Sequence, residues 1–399
     1  MSVGAPAGPR PARAARRGER GVVLALILVL ALLMTAAVAT FLKRSTIDTM
    51  IVSNRDDAAA AEALARGGVR AAIAVIAGEG LLQAQGGGPR SGTNDLGGRG
   101  GSELGQGLPG TAAPDPSVVN PTEDPCAVLS GVLPLPGDAT LTVTCKDTGS
   151  LLNLNAIGFD DLGNPDDEAE EFLKVFLERV IEDLGLPPGE EELFDARELA
   201  QNLLDYMDPN EDRISTGGHE DDYYRQQSPP YSAANLPLLS VKEIGLVEGF
   251  DVNEGVLAQR LEQYVSVFPL SGAQGVNLNT APPHVLRAAV FHGTSGHRRL
   301  ADDEAVAALL EARAEGKVFC TGQGGGRPIK NGDGPECVSP FQGGRLLEGE
   351  MYPPVELPST AAAYQVTSTA KVGQMERTIE TVVDRGDLAK PRLLFWRVE

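Results

Sequence analysis

Twenty-one residues without a charge, residues 22–42, directly follow an arginine-rich leader. The leader, residues 1–21, contains five arginines against one acid, Glu19, and the next charged residues after the run are Lys43 and Arg44. A helix needs about 20 apolar residues to cross a bilayer, and basic residues mark the cytoplasmic side. The sequence therefore predicts one membrane-spanning helix that places the rest of the chain beyond the membrane.

A cleaved secretory signal peptide is the alternative interpretation of this run. Such a peptide has an apolar core of about 7–15 residues followed by a cleavage site of small residues. Here the run is longer, and Lys43 and Arg44 occupy the place of that site. The spacing stays helical beyond them, at Ile47, Ile51, Leu64, Ala65, Val69, Ala72, Ile73 and Ile76. We therefore expect one retained helix from Val22 to about Ala77, whose second half packs on a folded domain. Gly67-Gly68 is expected to weaken this helix locally, because Gly has a low helix propensity.

The chain as a whole is strongly acidic. It has 399 residues, which suits two domains or one domain with a large insertion, and a net charge of −21. Phosphate backbones are bound through Lys and Arg, so this charge argues against nucleic acid as a partner. We expect most of the acids on a solvated surface and some of them at a cation site.

Four cysteines form two local pairs, Cys126 with Cys145 and Cys320 with Cys337. Neither pair has the C-x-x-C spacing of zinc or redox motifs. Outside the cytosol we expect two disulfides that close short loops, each contributing on the order of 3 kcal/mol to stability. Free thiols are the alternative.

The secondary-structure pattern changes twice along the chain. Residues 86–117 are rich in Gly, Pro and Ser and predict a loop, and residues 139–144 alternate as a strand does. Apolar spacing predicts helices at 170–177, 196–206, 241–250, 256–265 and 301–314. Strands are predicted at 363–372 and 375–383, around a turn at Gly373-Gln374, and at 393–398. Strands on both sides of a helical block indicate an α+β fold with an inserted α-domain.

An acidic stretch after the second of these helices is the main candidate site. Asp208, Asn210 and Asp212 have the i, i+2, i+4 spacing that opens a calcium-binding EF-hand loop. The match then fails, because Arg213 stands where that loop needs Gly and His219 where it needs Glu. Glu220 and Asp221 could still close a different oxygen-ligand site. The alternative is a solvated acidic turn in which Asp208 caps a helix.

Two similar sequence motifs, each containing Asn-Leu-Asn, occur at residues 152–155 and 276–283. In the second, Asn279 or Thr280 can cap a helix whose first turn accepts proline, and the segment resembles a helix-hairpin-helix unit. The acidic charge favours packing over DNA binding as its role. His284, His292 and His297 have no Ser or Cys partner in a recognisable motif, and His292 and His297 are expected at the surface. The chain contains none of the phosphate-loop, metalloprotease or serine-hydrolase motifs, so no enzyme is predicted.

The basic leader ending in Gly21, the apolar helix and a series of short motifs resemble the minor pseudopilin K (GspK) family of type II secretion systems. No single motif is decisive, and the similarity covers roughly residues 20–383. The motifs, in the family's order, are Asn54-Arg55-Asp56, Ala61-Glu62-Ala63, Asn153-Leu154-Asn155, Asp205-Tyr206-Met207-Asp208, Glu220-Asp221-Asp222-Tyr223-Tyr224, residues 230–235, residues 243–249 and Asn277-Leu278-Asn279-Thr280-Ala281.

This resemblance implies a pilin-like α+β fold, with a long N-terminal transmembrane helix and a small antiparallel sheet. It also implies a large inserted all-α domain containing helix-hairpin-helix-like units. The chain then divides into the leader 1–21, the N-terminal helix 22–80 (transmembrane over 22–42), the first part of the pilin-like domain 81–150 with its Gly-rich loop, the insert 151–345 and the C-terminal strands 346–399.

The family further implies a non-enzymatic role at the tip of the type II secretion pseudopilus, with minor pseudopilins I and J, in the export of folded proteins across the outer membrane. The prepilin peptidase is expected to cleave between Gly21 and Val22, leaving Val22 methylated. Other expected partners are the major pseudopilin, the inner-membrane assembly platform and the secretin, but no nucleic acid. The expected location is the bacterial inner membrane, crossed once, with the C-terminal domain in the periplasm. A metal-bound acidic loop in the family supports calcium at Asp208, Asn210, Asp212, Glu220 and Asp221.

Leu26 is the fifth residue after the expected cleavage site, where most pilin-type subunits have Glu. That Glu is thought to neutralise the terminal ammonium of a neighbouring subunit inside the membrane. A charge at bilayer depth costs about 2.5–3.5 kcal/mol. In a subunit without such a partner, Leu at this position avoids the cost of an unpaired charge in the membrane. Leu26 therefore predicts a position at the tip, unless it is simply another lipid-facing residue.

Three other functions stay open at this point. The first is a membrane-anchored helix-hairpin-helix protein that binds extracellular DNA. The second is a minor pilin of a type IV pilus, and the third is a calcium-dependent enzyme.

Overall fold

The protein is described by a computed structural model over residues 18–86, 131–135, 138–160, 163–214, 219–270, 272–320, 337–341, 346–355, 357, 363–384 and 391–399. Most of the predicted leader, most of the predicted Gly-rich loop and Cys126 lie outside these residues. The helices are α1 (Gly18–Gly86), α2 (Ala169–Glu182), α3 (Ala196–Met207), α4 (Asp221–Tyr224), α5 (Val252–Leu261), α6 (Pro283–Ala289) and α7 (Asp303–Ala314). The strands are β1 (Gly131–Pro134), β2 (Thr140–Asp147), β3 (Leu152–Asn153), β4 (Val265–Ser266), β5 (Phe291–Gly293), β6 (Arg299–Leu300), β7 (Val318–Phe319), β8 (Cys337–Val338), β9 (Glu350–Tyr352), β10 (Ala363–Val372), β11 (Met375–Asp384) and β12 (Arg392–Val398).

Helix α1 is continuous and changes its surroundings along its length. From Val22 to Val52 its apolar side chains are exposed, and among the described residues α1 alone is long and apolar enough to cross a membrane. From Ala61 onward one stripe is buried, with members three or four residues apart: Ala61, Ala65, Val69, Ala72 and Ile76. That spacing places them on one face of the helix. The second half of α1 therefore packs on a folded domain, as the sequence predicts.

Helix α1 continues without a break through Gly67-Gly68, and Gly68 lies where the helix approaches the sheet. A Cβ atom at Gly68 would lie 2.3 Å from the Oγ atom of Ser368 and 3.0 Å from a methyl carbon of Val143, whereas one at Gly67 would meet nothing within 4 Å. Ser368 and Val143 belong to the sheet beneath the helix. Gly68 therefore lets the helix backbone lie close to the sheet.

The sheet under α1 has five antiparallel strands in the order β1-β2-β10-β11-β12. Its central strand β10 pairs with β2 (Thr367 opposite Thr144) and with β11 (Val366 opposite Thr381). Alternate residues such as Leu141, Val366 and Ile379 face α1 and form a small core with it. The hairpin β10–β11 turns at Gly373-Gln374, as predicted, and Gly373 has a φ of +57°. The other face of the sheet is rich in threonine.

The insert leaves this sheet at the end of β2 and returns at the start of β10. Its two ends meet there, because the Thr148 hydroxyl donates a 2.9 Å hydrogen bond to the carbonyl of Ala363. A separate and larger core is formed by the helices between them, in which Phe172, Phe176, Leu203, Phe250 and Leu286 are fully buried. The expected fold class, a long helix and small antiparallel sheet with a helical insertion, is confirmed.

Three details of the insert differ from the expectation. Residues 241–246 form a 3₁₀ helix in place of a longer α-helix. Strands of two or three residues accompany the helices, so the insert is not purely α-helical; Leu152, for example, lies opposite Val265 in a parallel pair. The insert also extends past residue 345, because β9 pairs with β5 and buries Met351 and Tyr352 in the core of the insert.

In both Asn-Leu-Asn motifs the second asparagine side chain hydrogen-bonds to the backbone of a residue distant in the sequence. The Asn155 side chain accepts a hydrogen bond from the backbone N–H of Leu238 and donates one to its carbonyl, both at 2.9 Å. Asn279 does the same with Phe319, at 2.8 and 3.1 Å. The predicted capping of α6 by Asn279 or Thr280 is therefore wrong: Thr280 donates to the Asp147 carboxylate, and α6 begins at Pro283.

Cys145 and Cys320 are each disulfide-bonded. Their predicted partners are Cys126, outside the described residues, and Cys337, whose side chain is also outside them. The backbone N–H of Cys320 donates to Val338, next to Cys337. The pairing of the four cysteines stays a prediction.

Candidate metal centre

Helix α3 supplies the first part of the acidic site. It begins at the N-cap Asp195, whose carboxylate accepts hydrogen bonds from the backbone N–H groups of Arg197 and Glu198 at 3.0 and 3.1 Å. Its apolar face packs in the core of the insert. Asp205 lies in its last turn and Asp208 directly follows its end. Residues three apart share a side of a helix, so both carboxylates point the same way.

A tight loop after Asp208 returns the chain to the end of α3. The Asp208 carboxylate accepts a 3.2 Å hydrogen bond from the Asn210 backbone, and the Asn210 side chain accepts one of 2.8 Å from the Asp212 backbone. Asp212 then forms an antiparallel bridge with His219. Glu220 is thereby brought against the two aspartates of α3.

Asp205, Asp208 and Glu220 form the acidic cluster. Each can place a carboxylate oxygen within 4.8 Å of the others. Their exposed fractions are only 3%, 0% and 2%. Three carboxylates held this close and out of water repel one another strongly unless protons or a cation compensate their charge.

The electrostatics of the cluster follow from that burial. Desolvation, opposed by a hydrogen bond from Ile214, raises the pKa of Asp205 to about 6. Desolvation and the nearby Asp205 raise the pKa of Asp208 to about 7. Desolvation, together with Asp208 and Asp205, raises the pKa of Glu220 to about 8. Near neutral pH the bare cluster therefore holds protons that ordinary carboxylates release.

Several oxygens in the cluster lack a hydrogen-bond donor. Among the residues that the structure describes, no donor of normal geometry reaches Oδ2 of Asp205 or either carboxylate oxygen of Glu220. Asn235 lies against Glu220 and lowers its pKa, and the buried side-chain oxygen of Asn235 also lacks a donor. Buried polar atoms are normally paired. The unpaired carboxylate oxygens of Asp205 and Glu220 therefore lie where a cation would supply the missing partner.

The donor set fits a hard cation. All of the candidate metal ligands are oxygens, from three carboxylates and one amide. Oxygen ligands are the ones that Ca²⁺ prefers, whereas softer metals prefer nitrogen or sulfur. Such an ion would join the end of α3 to the segments that carry Glu220 and Asn235. Asn235 is also fixed by its backbone, because its N–H donates to the Tyr206 carbonyl at 3.0 Å and its φ is +47°.

The structure brings together two of the five predicted ligands, Asp208 and Glu220. Asn210 is engaged within the loop, since its amide nitrogen donates to Gly163 and Asp208 and its oxygen accepts from Asp212. Asp212 is exposed, and Asp221 forms an ion pair with Arg225 at 2.9 Å. These three residues lie outside the acidic cluster.

Two members of the site were missed from the sequence, Asp205 and Asn235. Asp205 could have been recognised as an acid on the buried face of an amphipathic helix, three residues before Asp208. Asn235 follows Glu220 by fifteen residues and carries no local signal. The expectation that His292 lies at the surface is wrong as well: it is buried in β5, where its Nδ1 atom accepts a 3.0 Å hydrogen bond from the backbone of Glu348.

The predicted cleavage site lies within α1. Gly21 and Val22 are both helical, and the Val22 side chain is exposed. Leu26 is exposed one turn further along. Cleavage after Gly21 stays a prediction.

Comparison with known proteins identifies similar chains. Residues 150–270, which include the whole acidic cluster and Asn235, match the family model described as "Type II secretion system (T2SS), protein K". "Type II secretion system protein K" of Klebsiella pneumoniae is 33% identical over 39% of this chain and 44% of its own length. That of Aeromonas hydrophila is 31% identical over 42% and 49%. The chain thus spans somewhat less than half the length of the curated relatives it matches.

A solved structure also resembles the chain. It is described as the GspK-GspI-GspJ complex from the enterotoxigenic Escherichia coli type 2 secretion system. Its matching chain is 17% identical with a TM-score of 0.47, over 89% of this chain and 99% of the other.

Proposed function

We infer from the family match over residues 150–270 and from the similar relatives that this chain is a member of the type II secretion system protein K family, and we propose that it is a minor pseudopilin at the tip of the type II secretion pseudopilus. In this role it assembles with minor pseudopilins I and J and supports the export of folded proteins across the outer membrane. The observation that carries the proposal is the family match over the insert, joined to an exposed apolar helix that runs on into the sheet domain. The family match does not favour the DNA-binding protein or the type IV pilus subunit.

The proposed location is the bacterial inner membrane, with the sheet domain and the insert in the periplasm. The apolar residues of α1 from Val22 to Leu42 form the anchor, and the arginines of the leader keep its start in the cytoplasm. Periplasmic disulfides at Cys145 and Cys320 are consistent with an oxidising compartment. The prepilin peptidase removes the leader after Gly21, which leaves Val22 as the methylated N-terminus.

Two features of the chain support the proposed position at the tip. Leu26 offers no carboxylate to the terminal ammonium of a neighbouring subunit. The insert, from Thr148 to about Leu357, is larger than the sheet domain and leaves little room for a further subunit above it. The proposed role of this protein is therefore to assemble with other subunits, and α1 contacts their helices.

Calcium is the proposed ion of the acidic cluster. Asp205, Asp208 and Glu220 would hold it together with the side-chain oxygen of Asn235. The bound ion supplies positive charge that compensates the three carboxylates, and its role is to stabilise the insert. Melting of the full chain with and without excess calcium tests this part. At about a hundredfold excess over the Kd we expect a gain of about 2.7 kcal/mol, and an unchanged melting temperature in chelator would contradict it.

Co-expression of the full chain with homologous minor pseudopilins I and J tests the central proposal. We expect a ternary complex that remains intact in detergent through size-exclusion chromatography. N-terminal sequencing of the protein made with the prepilin peptidase should begin at Val22. If the three proteins elute separately under conditions in which each is folded, the proposed function is wrong.

A further inference from the structure

The two edges of the five-stranded sheet differ in their chemistry. Strand β1 ends the sheet on one side, has four residues and contains Pro134, which has no N–H to offer a further strand. Strand β12 ends it on the other side and has seven residues without a proline. Proteins usually protect exposed edges by short strands, prolines or charges. The β12 edge is thus neither short nor interrupted by a proline, unlike the β1 edge.

The register of β12 shows which of its backbone groups face outward. Thr378 and Glu399 exchange both of their backbone hydrogen bonds, at 3.1 and 2.9 Å. In an antiparallel pair such positions alternate with positions that are not hydrogen-bonded, so Val398 opposite Ile379 and Trp396 opposite Thr381 are of the second kind. The N–H and carbonyl groups of Trp396 and Val398 therefore point away from β11. Among the described residues no strand pairs with them on that side.

Apolar side chains accompany these outward backbone groups. Leu393, Trp396 and Val398 are 50%, 40% and 41% exposed. They lie opposite Val383, Thr381 and Ile379, and therefore on the face of the sheet that packs against α1. The Arg66 guanidinium on α1 lies 5.9 Å from the centre of the Trp396 ring. We name these three side chains, with the outward backbone groups of Trp396 and Val398, the open edge.

The position of the open edge, rather than its charge, limits its partner. Charge does not select a partner, because Arg66 and Arg397 form ion pairs with glutamates of this chain and Arg392 lies opposite Asp384. The open edge lies on the α1 side of the sheet, and the proposed contacts with other subunits run along α1. The partner within reach is therefore an extended strand of a neighbouring subunit, with apolar side chains toward Trp396.

We propose that the open edge is the surface on which a neighbouring minor pseudopilin adds a strand to this sheet. This inference rests on the proposed function and names the part of the chain that carries the association outside the membrane. Strand addition uses the backbone groups of Trp396 and Val398 for affinity and the apolar side chains for selectivity. Contacts along α1 are then a second attachment, within the membrane.

Hydrogen exchange on the wild-type complex is the direct test, because it requires no variant. The full chain is compared alone and in complex with the I and J homologues, in the same detergent. We expect the amide protons of Trp396 and Val398 to exchange at least roughly tenfold more slowly in the complex. A partner that only lies beside the sheet without pairing would leave them unprotected, and that result would overturn the proposal.

Two variants give a second measurement. Trp396→Lys removes the apolar anchor and adds charge, and Val398→Pro removes an outward N–H. Each should weaken binding of the partner roughly tenfold or more. Leu246→Lys is the matched control, since Leu246 is a similarly exposed apolar residue (46%) on the insert, and it should bind as the wild type does.

The outcomes separate this inference from the proposed function. A stable complex with unprotected amides at Trp396 and Val398, and unimpaired variants, overturns the open edge and leaves the function in place. Loss of the wild-type complex overturns both. Protection of the same amides in the isolated chain at high concentration, abolished by Trp396→Lys, would mean that a second copy occupies the edge, contrary to the proposal.

Discussion

At the scale of single residues, the acidic cluster destabilises the folded chain unless its charge is compensated. Asp205, Asp208 and Glu220 are almost fully buried, and Oδ2 of Asp205 and both carboxylate oxygens of Glu220 lack donors among the described residues. The Arg213 guanidinium lowers the pKa of Asp205, but it forms its ion pair with Glu248. Among the described residues no side chain completes this compensation, which leaves protons or a cation to supply it. The two possibilities predict different dependences of stability on pH.

In the presence of chelator we expect stability to fall as pH rises. The pKa values of Asp205, Asp208 and Glu220 are raised to about 6, 7 and 8 in the folded chain, from ordinary values of 3.8 to 4.5. Between those limits the folded state binds more protons than the unfolded state, so the free energy of unfolding declines with pH. Thermal melting at pH 5, 6, 7 and 8 in EDTA measures this decline. With saturating calcium the decline should be absent, because the ion holds the carboxylates ionised.

Glu220→Gln should have effects of opposite sign in the two conditions. In chelator the amide is neutral without taking up a proton, so the cost of protonating or desolvating Glu220 on folding disappears and the melting temperature should rise above that of the wild type. In calcium it removes a ligand, so the gain on adding the ion should shrink by about 1–3 kcal/mol. Asp212→Asn is the matched control, because it removes an exposed acid of the same loop outside the cluster. A Glu220→Gln chain that gains as much from calcium as the wild type would contradict the proposed ligand.

At the scale of secondary-structure elements, close packing of α1 on the sheet depends on one of two adjacent glycines. Gly68→Ala should destabilise the sheet domain by about 1–3 kcal/mol, because its Cβ atom would meet Ser368 and Val143. Gly67→Ala places a methyl group in open space and should stabilise the helix by roughly 0.5–1 kcal/mol. The difference between the melting temperatures of the two variants is the measurement. Equal shifts of the same sign would show that α1 does not approach the sheet this closely.

Elements with a strong local period were predictable from the sequence, and elements held by distant partners were not. Helices α2, α3 and α7 and the hairpin β10–β11 each carry their pattern within about ten to twenty residues. The short strands of the insert do not: β3 pairs with β4, more than a hundred residues away, and two residues cannot display a period. The two Asn-Leu-Asn motifs can be recognised as a repeat in the sequence. The backbone partners of Asn155 and Asn279, which are Leu238 and Phe319, lie 83 and 40 residues further on and could not be predicted.

The candidate site was also predictable only where its residues carry a local sequence signal. Asp208 and Glu220 stand out because several acids cluster on either side of a turn in the sequence. Asp205 is concealed by its apolar neighbours on α3, and Asn235 reaches the cluster only through the tertiary fold. Asn210, Asp212 and Asp221 have suitable spacing for ligands, but hydrogen bonds within the loop and an ion pair with Arg225 engage them elsewhere.

At the scale of the whole molecule, the chain combines an exposed apolar helix with a sheet domain and an insert that meet at one joint. At that joint the Asp147 carboxylate accepts hydrogen bonds from Gly149, Asn277 and Thr280, at 2.8, 3.0 and 2.7 Å. Thr148 ties the same point to the start of β10. The insert is thus fixed at both of its ends to the central strands of the sheet. The sheet therefore joins the insert to α1.

Leu26→Glu tests whether this molecule ends the filament. At the tip no neighbouring ammonium lies beside residue 26, so the new carboxylate would remain unpaired at bilayer depth, at a cost of about 2.5–3.5 kcal/mol. We expect less of the variant in the membrane fraction and less ternary complex with I and J, whereas the control Leu26→Val should behave as the wild type. Within the filament the prediction reverses, because a neighbour's terminus would pair with the glutamate and strengthen assembly. Quantifying the complex recovered from membranes of cells that carry each variant therefore distinguishes a terminal from an internal subunit.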